Sequence, residues 1–319
     1  MTFYFAPLHG ITNHCFRKVF FAHFGGIDAA ITPFLPAGDA SILSEARFKD
    51  VLPLREEPLP TIVQIIGQKK QEMIDTVMYL HDKGHERINW NIGCPMQQII
   101  RKKRGCGLMP FPDEIEQTVE AICEKTTAKF SVKMRLGMYN PNESLEIIKR
   151  LNNYPLDFIT VHARLGTQLY SGKTDKDSFI QCFNLSKNLL CYNGDIFTAE
   201  DYHNFQQQYP NVNSYMLGRG LLRNPFLAEQ IQGKEISRQE QLKRFHAFYE
   251  DLTTAYFNTL PTRGALNKLK ELWHYFAVFY HLSDSQLRSL LQVNDYIRFK
   301  EDTMQSLKFK ISTLSPFNT

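Results

Sequence analysis

The sequence predicts an α/β protein: a (β/α)8 TIM barrel followed by a small C-terminal α-helical bundle. Short apolar runs rich in β-branched and aromatic residues recur eight times before about residue 233, and nearly every one leads into a stretch of helical period. Such alternation builds a parallel sheet covered by helices, and eight units in about 230 residues match the size of a closed barrel. Beyond Gly233 the strand-like runs cease and only helical stripes remain.

Taken in order, strands are expected at Phe3–Ala6, Asp28–Thr32, Thr61–Ile66, Arg87–Asn91, Lys129–Arg135, Asp157–His162, Leu189–Asn193 and Ser214–Leu217. Helices are expected at Asn13–Phe24, Gln68–Lys83, Pro112–Lys125, Asn142–Asn153, Asp175–Lys187, Thr198–Gln208 and Asn224–Gln230. The connection 33–60 mixes a short helical piece with proline-rich loop. A doubly wound open sheet is the competing arrangement. It carries a Gly-x-Gly-x-x-Gly turn after its first strand, whereas the first strand here ends Ala6-Pro7-Leu8-His9-Gly10. In the tail, Leu242, Phe245, Tyr249, Leu252 and Tyr256 keep the 3-4 spacing of a buried helix face, as do Leu266, Leu269, Trp273, Phe276 and Tyr280. Aromatic stripes at that spacing form core. Residues 283–293 and 295–310 continue the helical pattern, so the expected domains are 1–233 and 234–319.

With 43% hydrophobic and 22% charged residues the chain can bury an ordinary core, which argues against a low-complexity or disordered protein. No run approaches the roughly 18 apolar residues of a membrane span, and the amino-terminal residues lack the basic-then-apolar pattern of a secretory leader. Cys15, Cys94, Cys106, Cys123, Cys182 and Cys191 are scattered without C-x-x-C pairing. Reduced thiols in a cytoplasmic protein, with no metal, are the expectation. The net charge of +4 permits a polyanionic partner without requiring one, because clustering of cations decides.

Barrel active sites form at the carboxyl ends of the strands, and polar residues gather there. Gln64 is a lone amide in an apolar run, to be satisfied either by a neighbouring strand or by a ligand ring. Lys133 and Arg135 lie two apart on one face of the fifth strand, where cations would meet an anionic or electron-rich ligand. His162 and Arg164 close the sixth strand. Asn193-Gly194-Asp195 and Gly218-Arg219-Gly220 follow the seventh and eighth, where barrels commonly hold phosphate on backbone N–H groups, with Arg219 available for a charge-assisted contact. An isolated glycine turn has the plainer reading of an αL connection; two at these places favour a phosphate-bearing ligand. Cys94 is the candidate for bond chemistry. An unperturbed thiol titrates near about 8.5 and can donate a proton at neutral pH, whereas nearby cations would make it a nucleophile. No Cys-His-Asn pattern accompanies it, which favours the acid. The run Arg101-Lys102-Lys103-Arg104 would ordinarily be a solvated face; beside Cys94 and Gly105-Cys106-Gly107 it also suits phosphodiester contact.

Seven motifs in order, Ala6–Asn13, Asn91-Ile92-Gly93-Cys94-Pro95, Gly105-Cys106-Gly107, Val132–Gly137, Val161-His162-Ala163-Arg164, Asn193–Ile196 and Leu217–Gly220, resemble the tRNA-dihydrouridine synthases and span nearly the whole barrel. The resemblance implies an FMN-dependent reduction of a D-loop uridine in tRNA, with NADPH as reductant, by a monomer whose helical tail binds RNA. It implies Cys94 as proton donor to C5 of the uracil. It also implies Lys133 and Gln64 at the isoalloxazine ring beside the Pro7-Leu8 backbone, and His162, Asn193, Gly194, Asp195, Gly218 and Arg219 at the ribityl phosphate. Asn91 and Arg135 match positions that contact the uridine. Arg101, Lys102 and Arg164, with Lys268 and Lys270 of the tail, match the RNA side, and the Gly-x-Gly segment reads as a hinge for the thiol loop. The chain departs from the family pattern at Leu8, His9, Asn13 and Leu165, positions that remove no inferred catalytic group. A flavin barrel acting on a free pyrimidine and a non-catalytic RNA-binding barrel are the competing functions; the helical tail and basic run speak against the first, and bound flavin would exclude the second.

Overall fold

The computed structural model describes residues 1–44, 48, 51 and 57–303. Residues 45–47, 49–50 and 52–56 of the 33–60 connection, and the part of the expected 295–310 helix beyond residue 303, therefore lie outside the described residues. The chain separates into two compact units, one made of Met1–His9, Ile27–Asp195 and Gln206–Leu217, the other of Gly10–Gly26, Ile196–Phe205 and Gly218–Thr319. The division does not follow a single cut at residue 233.

The first unit is a closed parallel barrel. Its strands are β1 (Thr2–Phe5), β2 (Ala29–Ile31), β3 (Leu35–Pro36), β4 (Thr61–Ile66), β5 (Arg87–Ile92), β6 (Lys129–Gly137), β7 (Ile159–Leu165), β8 (Leu190–Asn193) and β9 (Ser214–Leu217). They pair in the order β2-β1-β9-β8-β7-β6-β5-β4-β3, and a β2–β4 ladder closes the ring. Both β2 and β3 lie against β4, at Thr61-Ile62 and at Ile65-Ile66 respectively, so together they make one interrupted second strand. Pro33 sits in the break, where it has no N–H to give a ladder. There Thr32 Oγ1 accepts the backbone N–H of Gln64 at 3.0 Å.

Side chains alternate across each strand, and one set fills the barrel. Tyr4, Ala6, Ala29, Ile31, Ile62, Phe158, Cys191 and Met216 form a buried cluster. At the amino-terminal mouth Arg87 pairs with Asp157 at 2.7 Å and reaches Tyr4. Toward the carboxyl ends the same face turns polar. Register rows run Gln64–Asn89–Ser131, Asn91–Lys133–Thr160–Cys191 and Arg135–His162–Asn193–Met216. Helices α2 (Lys70–Asp82), α5 (Asn142–Leu151) and α6 (Lys176–Leu185) pack on β5, β6 and β7, α4 (Pro112–Lys125) packs against α2 and α5, and α3 (Gln97–Ile100) is one turn in the β5–α4 connection. Local chemistry explains their ends. Pro112 at the first position and Asp113 and Glu114 in the first turn suit the start of α4, and Asp175 caps α6 by accepting Ser178 N–H at 2.9 Å.

The second unit is helical: α1 (His14–His23), most of α7 (Ala199–Gln208), α8 (Arg219–Arg223), α9 (Leu227–Ile231), α10 (Arg238–Thr259), α11 (Thr262–Tyr280) and α12 (Asp284–Gln292), with residues 296–303 also helical. Asn13 caps α1 by accepting Phe16 N–H, a role that Asp fills equally. Phe16, Phe20 and Phe24 of α1 and its end pack on Phe248 of α10, and Phe245 meets Phe276 and Phe279 of α11. The aromatic stripes of the tail are thus core. Glu229 receives Arg244 at 2.7 Å and the Gly25 N–H at 2.9 Å, and Trp273 donates to Tyr249 Oη at 2.9 Å. Among the described residues no helix is long and apolar enough to cross a membrane.

Candidate active site

β5 delivers Cys94 to the rim of the barrel through a tight connection. Asn91 Oδ1 accepts the backbone N–H of Gly93 at 3.0 Å and of Cys94 at 2.9 Å, closing a local turn of the Asx kind. A Cβ on Gly93 would stand 3.0 Å from the Met134 carbonyl carbon, so glycine lets this loop lie against β6. From the other side the 3-10 turn Gly105–Leu108 fixes the Cys94 carbonyl, which accepts Cys106 N–H at 3.1 Å and the Cys106 thiol at 3.2 Å. Gly105 has φ +57°, and a Cβ there would fall 2.5 Å from Cys94 O. The Gly-x-Gly segment is therefore a buttress packed on the thiol loop, in place of the hinge expected from sequence.

Cys94 is buried, and its thiol titrates above the usual thiol range because desolvation disfavours the thiolate. The Met96 N–H and the cations of Arg135 and Lys133 pull the other way, with less effect. Cys106, deeper, is pushed up to about 12 by burial. Such an environment keeps Cys94 a neutral proton donor at pH 7.

The cations of β6 occupy different places. Lys133 Nζ donates to Asn193 Oδ1 at 3.0 Å, and Asn193 Nδ2 donates to the Met216 carbonyl at 2.9 Å. Burial, helped by Arg135, lowers the Lys133 ammonium to about 8. Arg135, almost fully buried, donates from Nε to Gly93 O at 3.1 Å and from Nη1 to Leu165 O at 2.7 Å, with Tyr170 5.3 Å from its guanidinium. Its Nη2 has no recorded bond among the described residues.

Gln64 satisfies itself on neighbouring strands: Nε2 donates to Asn89 Oδ1 at 2.8 Å, and Oε1 accepts Asn91 Nδ2 at 2.8 Å. Each amide nitrogen has a second hydrogen. With one recorded bond for the three hydrogens of Lys133 Nζ, the rim presents N–H donors and a cation to whatever binds there. That donor set fits the carbonyl- and imine-rich edge of a flavin ring.

Arg164 departs from expectation. It is 2% exposed. Its five N–H groups meet Ser171 O (3.3 Å), His162 Nε2 (3.4 Å), Gly172 O (2.7 Å) and both oxygens of Asp195, one at 3.0 Å. A guanidinium with five donors spent has none left for RNA, so this residue clamps the β7–α6 loop. Both oxygens of the Asp195 carboxylate accept from Arg164. A Cβ at position 194 would fall 2.1 Å from the Tyr192 hydroxyl, so any larger residue there has to displace that ring. Pro7 and Leu8 are half-buried immediately after β1, whose end is tied to β9 by Ala6 N–H to Leu217 O at 2.8 Å.

The basic run divides. Arg101 and Lys102 are exposed, and no side-chain partner is recorded for either among the described residues. Lys103 is bonded to Glu114 with its Nζ 3.6 Å from the Phe111 ring, and Arg104 lies 3.8 Å from Glu72. In the helical unit Lys268 bonds the Gly10 carbonyl and Glu271, Lys270 bonds Asn294 at 3.0 Å, and Arg219 lies 5.6 Å from the Phe197 ring. Sequence reasoning missed Asn89, Ser131 and Cys106 as supports of the site. The two-residue alternation that paired Lys133 with Arg135 also marks Ser131, and Asn89 stands in the same phase as Asn91.

A family model described as dihydrouridine synthase (Dus) matches residues 4–311. The tRNA-dihydrouridine synthase B of Pasteurella multocida (strain Pm70) is 28% identical over 226 residues, 70% of this chain and 67% of that protein. A tRNA-dihydrouridine(16) synthase of Pseudomonas putida is 26% identical over 249 residues, 76% of each. Among solved structures, histamine dehydrogenase from Rhizobium sp. 4-9 aligns with TM-score 0.54 and 12% identity over 77% of this chain and 48% of its own. The old yellow enzyme from Trypanosoma cruzi aligns with TM-score 0.52 and 10% identity over 78% of this chain and 94% of its own. At that identity these structures bear on the barrel fold alone. The family match covers all but the first few and last few residues, and the chain belongs to the dihydrouridine synthase (Dus) family.

Proposed function

We propose that this dihydrouridine synthase reduces the C5–C6 double bond of a D-loop uridine in tRNA, holding FMN at the carboxyl ends of its strands and drawing electrons from NADPH. The single observation that carries the mechanism is Cys94: a desolvated, neutral thiol whose backbone is fixed on both sides, in the field of Arg135 and Lys133. FMN, when bound in its reduced form, supplies hydride for C6. Cys94 Sγ–H gives its proton to C5, so that hydride and proton together saturate the bond, and the thiolate left behind is stabilised by the two neighbouring cations until it is reprotonated from solvent. Lys133 and Gln64 are assigned to the ring edge of the flavin, with Pro7 and Leu8 beside it. His162, Asn193 and the backbone at Gly194 and Asp195 are assigned toward its phosphate. Gly218 and Arg219, which follow β9 directly, keep the phosphate role expected from sequence. Arg135 Nη2 and the spare N–H of Asn91 are assigned to the uracil, which must leave its stack to reach them. Arg101 and Lys102, with Lys268 and Lys270, are assigned to the RNA backbone.

The test is Cys94→Ala in the full chain with FMN. The flavin spectrum should be retained and dihydrouridine formation on tRNA should fall by roughly 10²–10⁴-fold, the worth of a positioned general acid. Turnover at the normal rate would remove Cys94 from the mechanism.

A further inference from the structure

We propose that Asn89 and Ser131, which touch neither Cys94 nor the mouth of the barrel, are positioning residues for Cys94, acting along a buried hydrogen-bond chain through Gln64 and Asn91. The inference rests on the assignment of Cys94 as the acid.

The chain runs across β4, β5 and β6, and its direction is fixed. Asn91 must turn Oδ1 toward the Gly93 and Cys94 N–H groups, so its Nδ2 faces Gln64 Oε1 at 2.8 Å. Gln64 must then turn Nε2 to Asn89 Oδ1 at 2.8 Å. Asn89 in turn gives Nδ2 to Ser131 Oγ at 2.9 Å, and the Ser131 hydroxyl donates to the Ile88 carbonyl at 3.2 Å. Flipping Asn91 or Gln64 would set oxygen against oxygen or N–H against N–H at both contacts, and flipping Asn89 would set N–H against N–H at Gln64 and draw the Ser131 hydroxyl away from the Ile88 carbonyl. Gln64, Asn89 and Ser131 are each 0% exposed, so water does not stand in for a lost partner, and an unmet donor there is costly. The hydroxyl at the far end thus helps set the amide orientation that the thiol loop needs. The same polarity decides what the site offers: the spare hydrogen of Asn91 is a donor. Three of the six hydrogen bonds are side-chain to side-chain, an uncommon share for a protein interior, where most side-chain hydrogen bonds go to backbone or water.

The experiment compares wild type, Ser131→Ala, Ser131→Thr and Cys94→Ala as full chains loaded with FMN. Two readouts are taken: kcat and KM on tRNA across pH, and alkylation of Cys94 by iodoacetamide across pH, quantified by peptide mass spectrometry. Ser131→Ala should keep its flavin and its KM for tRNA, lose about tenfold in kcat, and alkylate Cys94 severalfold faster at pH 8. Slackening the loop reduces thiol desolvation, so its titration and the alkaline fall of kcat should both move to lower pH. Ser131→Thr, which restores a hydroxyl, should return both toward wild type. A merely structural role for Ser131 would lower stability without moving either pH profile. If Ser131→Ala does not fold, Ser131→Cys, of similar size with a weaker hydrogen bond, should give a smaller shift in the same direction. Unaltered kcat and alkylation profiles in the variant that folds overturn the positioning role. If Cys94→Ala is inactive while those profiles stay unaltered, the relay fails alone; if Cys94→Ala is fully active, the acid assignment fails as well.

Discussion

Replacing Arg164 with Met separates two roles for a residue that sequence places on the RNA and the structure buries. Met keeps length and apolar stem but removes five donors at once. Three carbonyl or imidazole acceptors and one carboxylate lose their partner. Breaking a buried pair by removing one partner costs about 3–5 kcal/mol. The Asp195 side chain is 25% exposed and recovers some hydration, which moves the expected loss to about 3 kcal/mol, more than a hundredfold in the folded-to-unfolded ratio. Urea denaturation followed by Trp90 fluorescence, in a Trp273→Phe background, reads the barrel, because these are the two tryptophans of the chain. Cleavage after Lys173 by trypsin under native conditions should also accelerate, since the clamp holds the carbonyls of Ser171 and Gly172. An RNA contact predicts the reverse: stability within about 0.5 kcal/mol of wild type, and a salt slope of tRNA binding smaller by about one. That pair of results would refute the clamp.

Two further outcomes follow from the site. Lys133 has its ammonium lowered to about 8, so the cation is complete below that pH and lost as pH rises through it, well before an ordinary lysine. FMN affinity, measured by fluorescence titration from pH 6.5 to 9.5, should weaken across about pH 8, and Lys133→Met should bind more weakly with that pH dependence gone; an equal slope in both would exclude Lys133 as its source. Arg101 and Lys102 are exposed, with no side-chain partner among the described residues, so Arg101→Ala with Lys102→Ala should weaken tRNA binding and reduce the salt slope by about 1.5 to 2 while leaving FMN binding intact; an unchanged slope would clear them of phosphate contact.

Local patterns carried most of the barrel into view. Thr61–Ile66 and Ser214–Leu217 coincide with β4 and β9 because apolar runs between turn residues are read within the run itself. What escaped depends on partners far along the chain. β7 continues through Ala163-Arg164-Leu165 because the arginine is neutralised by Asp195, 31 residues away, a pairing no local pattern shows. Gly220 looks like turn chemistry, yet it lies in α8, where a Cβ would meet the Ile196 carbonyl at 2.2 Å; close approach looks the same in sequence as conformational freedom. In the site, Cys94, Lys133 and Asn91 are legible as polar residues at strand ends. Whether Gln64 serves a ligand or its neighbours was open in sequence, since the answer lies in strand register. Asn89 and Ser131 were within reach, being in phase with Asn91 and Lys133, but interior amides and hydroxyls draw no notice until their geometry is seen.

The packing of α1 on α10 has a consequence for synthesis. His23 meets Asp251 across 228 positions of chain, and Arg244 reaches the His23 carbonyl across 221. Helix α1 therefore waits for a helix made more than two hundred positions later before Phe16, Phe20 and Phe24 meet Phe248. At about 5–20 residues per second that interval is roughly 11 to 45 seconds, during which an aromatic surface stands open to chaperones or to other nascent chains. A chain terminated at residue 233 would keep that surface open indefinitely, so the tail is part of how the amino-terminal helix completes its own fold.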